Sequence, residues 1–206
     1  AAGKKVSAVI TDMDTPLGHN VGNLLEVAEA VEVLKSGGDS DLREVCYTLV
    51  KQMLLHAGYT DTEADNAIQK SVESGSALQK LADTVRLQGG DSSWILDTDK
   101  MPKAPYQLTV TAEKGGYIRK TDTKLIGEAA MLLGAGRAVL EDQIDPCAGL
   151  TMLKKTGDKV QKGEPLAVLY ASDEAKFEAA KATFLSAFQY GDAPPKPIPL
   201  IYKIIS

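Results

Sequence analysis

The sequence predicts an α/β fragment, a strand with the helices of a central α/β domain, followed by an α+β domain. Three patterns carry that reading. A short apolar run, Val6, Ala8, Val9 and Ile10, passes through a loop punctuated by Pro16, Gly18 and Gly22 into a helix of period 3.6. Three more helical stretches follow before residue 90, with no second good strand among them. Beyond about residue 105, period-two alternation and paired-glycine turns take over. The boundary is placed near Met101–Pro105, which gives domains 1–104 and 105–206.

The apolar run at 6–10 is too short for a helix and suits a parallel strand covered on both faces. Thr11-Asp12 ends it. In the helix that follows, Leu24, Val27, Ala28, Val31 and Leu34 share one face, and Ser36-Gly37-Gly38 stops it. Ser40 or Asp41 caps a second helix with Leu42, Val45, Cys46, Leu49 and Met53 at core spacing; Gly58-Tyr59 ends it. Thr60-Asp61-Thr62-Glu63 has the spacing of a capping box and opens a third helix through Ala64, Ala67, Ile68 and Val72. Gly75 closes that helix, and Ser76-Ala77-Leu78-Gln79 repeats the device for a fourth, with Leu78, Leu81, Ala82 and Val85 inward.

Asp97 to Pro105 reads as a linker, and Gln107 to Thr111 alternates as a half-buried strand. Gly115-Gly116 turns it into Tyr117-Ile118-Arg119. Thr123 is the expected cap of a short helix through Leu125, Ile126, Ala129 and Leu132. Strands are expected at 150–154 and 166–170, with a Gly157-Asp158 turn between them. A helix over 175–188 puts Phe177, Ala180, Phe184 and Phe188 on one side, and a last strand covers 200–205.

Composition narrows the classes. A hydrophobic content of 44% over 206 residues is ample for a core. A formal charge of −5 gives no electrostatic reason to expect nucleic acid or an anionic membrane as partner. No apolar run approaches the ~20 residues of a membrane span. Two cysteines build no disulfide framework, which points to a reducing, cytoplasmic setting. No phosphate-binding Gly loop, paired CxxC or serine-nucleophile motif is present. Only five residues precede a strand that should be central, so a fragment or a processed chain is the expectation.

Candidate chemistry gathers around the loop 11–21, at the carboxyl end of the first strand, where ligands of open α/β sheets bind. Asp12 and Asp14 are either acid/base candidates or loop-organising side chains. His19 and His56 are the only histidines. His56 falls at a helix C-terminus, where it complements the dipole. Glu26, Glu29 and Glu32 form a carboxylate stripe with two readings: a solvated acidic face, or one carboxylate closing a cation site with loop carbonyls.

ITDMDTPLG followed by VGNLLEVAEAV resembles the strand, loop and helix of the pyrimidine nucleoside and thymidine phosphorylases. QGGDSS at 88–93, LGAGR at 133–137, GDKVQKGEPL at 157–166 and the terminal IYKII follow in that family's order. The resemblance covers nearly the whole chain, but only the C-terminal half of such an enzyme. It implies reversible phosphorolysis of a pyrimidine (deoxy)ribonucleoside to free base and pentose 1-phosphate in the intact protein. It also implies a C-terminal domain of the α/β-hammerhead or barrel-sandwich type.

The resemblance further implies a potassium ion held by the backbone carbonyls of Leu17 and Asn20 and the carboxylate of Glu29. The family's phosphate-binding and base-gripping residues lie upstream of Ala1. No catalytic residue is therefore expected within 1–206, and the chain alone should be inactive. The family's homodimer is built through a helical domain that also lies upstream. A choice between thymidine and uridine is not written in these residues. The alternative reading is a non-catalytic structural or binding module built on the hammerhead domain.

The stretch GDKVQKGEPLAVLYA also resembles the half-repeat of biotinyl and lipoyl carriers. A carrier presents its lysine at an exposed hairpin tip, commonly beside Met. Lys159 and Lys162 belong to the turn itself, and no Met-Lys-Met element exists. Intact-protein mass spectrometry should find no stoichiometric acyl adduct on either lysine; finding one would make this domain a carrier.

Overall fold

Among the described residues the first strand has no parallel neighbour. In a computed structural model, which describes residues 3, 5–36 and 40–205, Ala8–Thr11 (β1) pairs antiparallel with Ile201–Ile205 (β9). Ala8 stands opposite Ile205 and Ile10 opposite Lys203, and the N–H of Asp12 donates to the Leu200 carbonyl at 2.8 Å. The physical reason lies in β1 itself. Exposed and half-buried residues alternate along it, the pattern of a strand with one solvated face. A short apolar run does not distinguish that pattern from a doubly covered strand.

β1 and β9 share a compact unit, made of Ala1–Asp12, Ala30–Lys100 and Ile198–Ser206, whose long helices among the described residues are four. The first, Asn23–Ser36 (α1), enters this unit only from Ala30. The others are Ser40–His56 (α2), Asp61–Glu73 (α3) and Ser76–Leu87 (α4). The glycine stop expected at 37–38 lies outside the described residues. The capping box forms: Glu63 N–H donates to Thr60 Oγ1 at 3.4 Å, and Thr60 N–H to Glu63 Oε2 at 2.9 Å. That backbone donor holds the Glu63 carboxyl below its ordinary range.

Two details differ from the expected pattern. The device does not repeat at α4, whose N-cap is Gly75 with no side-chain bond; Ser76 is already helical and its hydroxyl donates to the Ser71 carbonyl. Leu49 and Met53 on α2 are 42% and 66% exposed. Periodicity marks an apolar face, not what covers it. A short helix, Ser93–Leu96 (α5), and a 3₁₀ turn at Thr98–Lys100 end this stretch of the unit.

The second unit comprises Met13–Glu29 and Met101–Pro197. A division at 104/105 therefore separates Met13–Glu29 from the sheet it completes. Its larger sheet is antiparallel throughout, in the order β2-β5-β7-β3: Asn20–Val21, Gly149–Met152, Pro165–Ala171 and Tyr106–Thr111. A second sheet, β6-β4-β8, joins Lys159–Val160, Gly116–Thr121 and Phe188–Gly191. No sheet among the described residues closes into a barrel.

Helices Thr123–Ala130 (α6) and Phe177–Ser186 (α7) complete this unit. Asp122, not Thr123, caps α6, its carboxylate accepting from the N–H groups of Lys124 and Leu125. α6 continues into a π-turn at Met131–Ala135. The helix expected over 175–188 is shorter, because β8 takes Phe188 opposite Thr121 of β4. A strand of four residues is concealed when its first apolar residue also continues a helical stripe.

The core of this unit contains Ile118, Ile126, Leu133, Leu150, Met152, Leu166, Leu169 and Phe184. Phe184 is fully buried, with the Phe188 ring edge-on at 5.0 Å. Phe184→Ala should cost about 3–5 kcal/mol by lost burial and the cavity left behind. Urea unfolding followed by circular dichroism should show the midpoint fall, with Phe184→Leu intermediate.

Candidate functional site

The loop 13–22 is shaped by a carboxylate. Glu29, two turns into α1, reaches back and accepts from the main-chain N–H of His19 at 2.7 Å and of Asn20 at 3.1 Å. Gly18 makes the wrap possible: its φ is +68°, and a Cβ there would stand 2.5 Å from Glu29 Oε2. Glu26 Oε1 accepts from Gly22 N–H at 3.1 Å, and Glu32 pairs with Lys35 at 3.6 Å. The three glutamates of one helix therefore have three tasks: holding the loop, closing the helix start, and a surface pair worth little.

The other wall is β5. His19 carbonyl accepts from Met152 N–H at 2.7 Å, and His19 Nδ1 lies 2.8 Å from the Met152 carbonyl. Thr151 Oγ1 donates to Asn20 Oδ1 at 2.5 Å. Asn20 faces Thr151 in a pair without main-chain bonds, where side chains approach and main-chain groups point away from the partner strand. On that outward side its N–H meets Glu29. α1 is pinned as well: Leu24 N–H donates to the Pro146 carbonyl and Asn23 Nδ2 to the Ala135 carbonyl.

Leu17, Asn20 and Glu29 thus belong to one loop and the helix it enters. The leucine is exposed, and the asparagine and glutamate are half-buried. Asp14, His19 and Glu26 share that loop and helix, whereas Asp12 and His56 do not. Asp12 lies in the β1–β9 unit, where Tyr202 donates to it at 3.4 Å, and Asp14 is exposed. His56, at the end of α2, contacts the Ser7 hydroxyl at 2.9 Å. Lys159 lies over the Tyr117 ring at 5.6 Å.

Burial raises the thiols of Cys46 and Cys147, the latter also through Asp145, so both are protonated at neutral pH. Among the described residues no group of three or more His, Cys, Asp or Glu side chains is arranged to hold a metal. No helix among them is long and apolar enough to cross a membrane. Thr151 carries no signal in the sequence, and the partner of the His19 imidazole is not legible there, because both contacts span more than 130 residues.

Comparison with known proteins places the chain beside one group of enzymes. Residues 117–191 match the pyrimidine nucleoside phosphorylase C-terminal domain. The chain is 48% identical to the pyrimidine-nucleoside phosphorylase of Bacillus subtilis strain 168 over 174 residues, 84% of this chain and 40% of that protein. It is 38% identical over 206 residues to the pyrimidine-nucleoside phosphorylases of Geobacillus stearothermophilus and Staphylococcus aureus strain RF122, 99% of this chain and 47% of each of them. The chain is a relative of the pyrimidine-nucleoside phosphorylases, matching the part that carries their C-terminal domain. It spans less than half the length of these relatives.

Gly18→Ala tests the loop. The left-handed backbone alone costs roughly 1–2 kcal/mol in an L-residue, and the added methyl displaces the Glu29 carboxylate. Amide hydrogen exchange at His19 and Asn20 should accelerate together, while exchange in β7 is unchanged.

Proposed function

We propose that this chain is the C-terminal half of a pyrimidine-nucleoside phosphorylase. The intact enzyme displaces the base of a pyrimidine (deoxy)ribonucleoside with phosphate, giving free base and pentose 1-phosphate. The observation that carries this reading is the family-domain match over 117–191, extended by 48% identity over 84% of the chain. In this reading 105–206 is the C-terminal hammerhead-type domain, and the rest belongs to the phosphorylase α/β domain. Cytoplasmic location and a homodimer formed through a domain outside these residues are parts of the same proposal.

Within this chain the contribution is scaffold and part of a cation site. The oxygens of Leu17 and Asn20 carbonyls and the Glu29 carboxylate suit a hard cation, for which we propose potassium. Glu29 carries two main-chain hydrogen bonds, yet a carboxylate offers about four lone-pair sites, so acceptor capacity remains. When bound, the ion would neutralise the carboxylate and fix the loop carbonyls. His19 and Asn20 N–H groups hold Glu29 in place for it. The loop 11–21 contains two carboxylates and no Arg or Lys, so it repels rather than binds a phosphate dianion. Phosphate and base must be held by other parts of the intact enzyme, where fixed donors meet developing charge.

The experiment is phosphorolysis of thymidine and uridine by a full-length protein carrying this sequence, titrated with potassium. Free base should appear only with phosphate present. Glu29→Gln should raise the potassium concentration for half-maximal rate at least about tenfold, the effect of weakening one charge-assisted contact. Absence of turnover with either nucleoside rejects the function. An unchanged potassium response rejects the cation assignment.

A further inference from the structure

We infer that the imidazole of His19 is a positioning group for Glu29, standing in for its own main-chain N–H in the β2–β5 ladder. The inference rests on the cation-loop reading above and concerns how that loop is built. In an antiparallel ladder a hydrogen-bonded pair exchanges two main-chain bonds. His19 and Met152 continue the Asn20–Thr151 register by one residue, and Met152 N–H donates to the His19 carbonyl at 2.7 Å. The returning bond, from His19 N–H to the Met152 carbonyl, is not made. That N–H turns instead to Glu29 Oε1, also at 2.7 Å.

The Met152 carbonyl is not left without a donor. His19 Nδ1 lies 2.8 Å from it, and a carbonyl only accepts, so Nδ1 carries the proton. One side chain thus replaces a ladder bond and releases a main-chain donor to the carboxylate. A residue without a short-reach side-chain donor faces a choice. It either leaves the carbonyl of buried Met152 unpaired or takes the N–H back from Glu29. The neighbouring Thr151–Asn20 bond holds the same loop edge against β5, so the exchange is local to His19.

The exchange also dictates the histidine tautomer. Nδ1 must hold a proton, because the Met152 carbonyl facing it can only accept. This is a spectroscopic signature that packing alone would not produce.

The test uses ¹⁵N NMR of the folded 206-residue chain, or of a full-length protein if the chain is insoluble. It is run in choline chloride, without potassium. His19 should show a protonated Nδ1; an unprotonated Nδ1 overturns the inference. His19→Asn places an amide donor near the Nδ1 position and should retain slow exchange of the residue-19 amide. His19→Ala should accelerate that exchange about tenfold, the loss of one hydrogen bond. Equal exchange in the Asn and Ala variants overturns it too. None of these readouts involves potassium or turnover, so they fail or succeed independently of the cation and phosphorolysis readings.

Discussion

Two backbones approach so closely at Gly22 and Gly149 that neither position has room for a side chain. A Cβ on Gly22 would meet the Ala148 carbonyl at 2.5 Å, and one on Gly149 would collide with the Val21 carbonyl. Both glycines lie at positive φ, near +150°. This contact sets β2 against β5 and so brings Met13–Glu29 into the unit built by residues 101–197. The helix start at Asn23 and Leu24, anchored to the Ala135 and Pro146 carbonyls, follows from it. So does the position from which Glu29 reaches the loop.

With the loop trapped between a strand and a helix, its main-chain donors must find acceptors or pay the desolvation cost of burial. One carboxylate takes two of them. This use of Glu29 differs from that of its neighbours along α1, because only Glu29 lies at the height of His19 and Asn20. Glu26, one turn earlier, meets Gly22, and Glu32, one turn later, has passed the loop and finds Lys35. An acidic stripe with a single helical period is thus divided by depth, not by chemistry.

The same unit is otherwise conventional in its energetics. Phe184 and the aliphatic residues around it bury one continuous core, and the turns outside it are held by local side chains. Lys154, beyond the end of β5, pairs at 2.7 Å with Glu164 in the turn after β6, and Glu164 also accepts from Gln161 N–H. The pair raises the lysine and lowers the glutamate. The glutamate's stabilisation is present above its unfolded pKa and is lost as pH falls through the folded one. The lysine's is present at neutral pH and is lost only at strongly alkaline pH.

Local chemistry was legible in the sequence. The Thr60–Glu63 capping box, the alternation of β3 and the inward Phe177, Ala180 and Phe184 face depend on residues within one or two turns of each other, where spacing alone decides geometry. The family relation was legible too, because ordered motifs along the chain survive without knowledge of the fold. Tertiary structure alone decided that β1 pairs antiparallel with the far end of the chain, that Phe188 leaves the helix for β4, and that Met13–Glu29 joins residues 101–197. It alone placed Thr151 and Met152 against Asn20 and His19. These contacts join residues tens to nearly two hundred positions apart, and no periodicity in either segment encodes its partner.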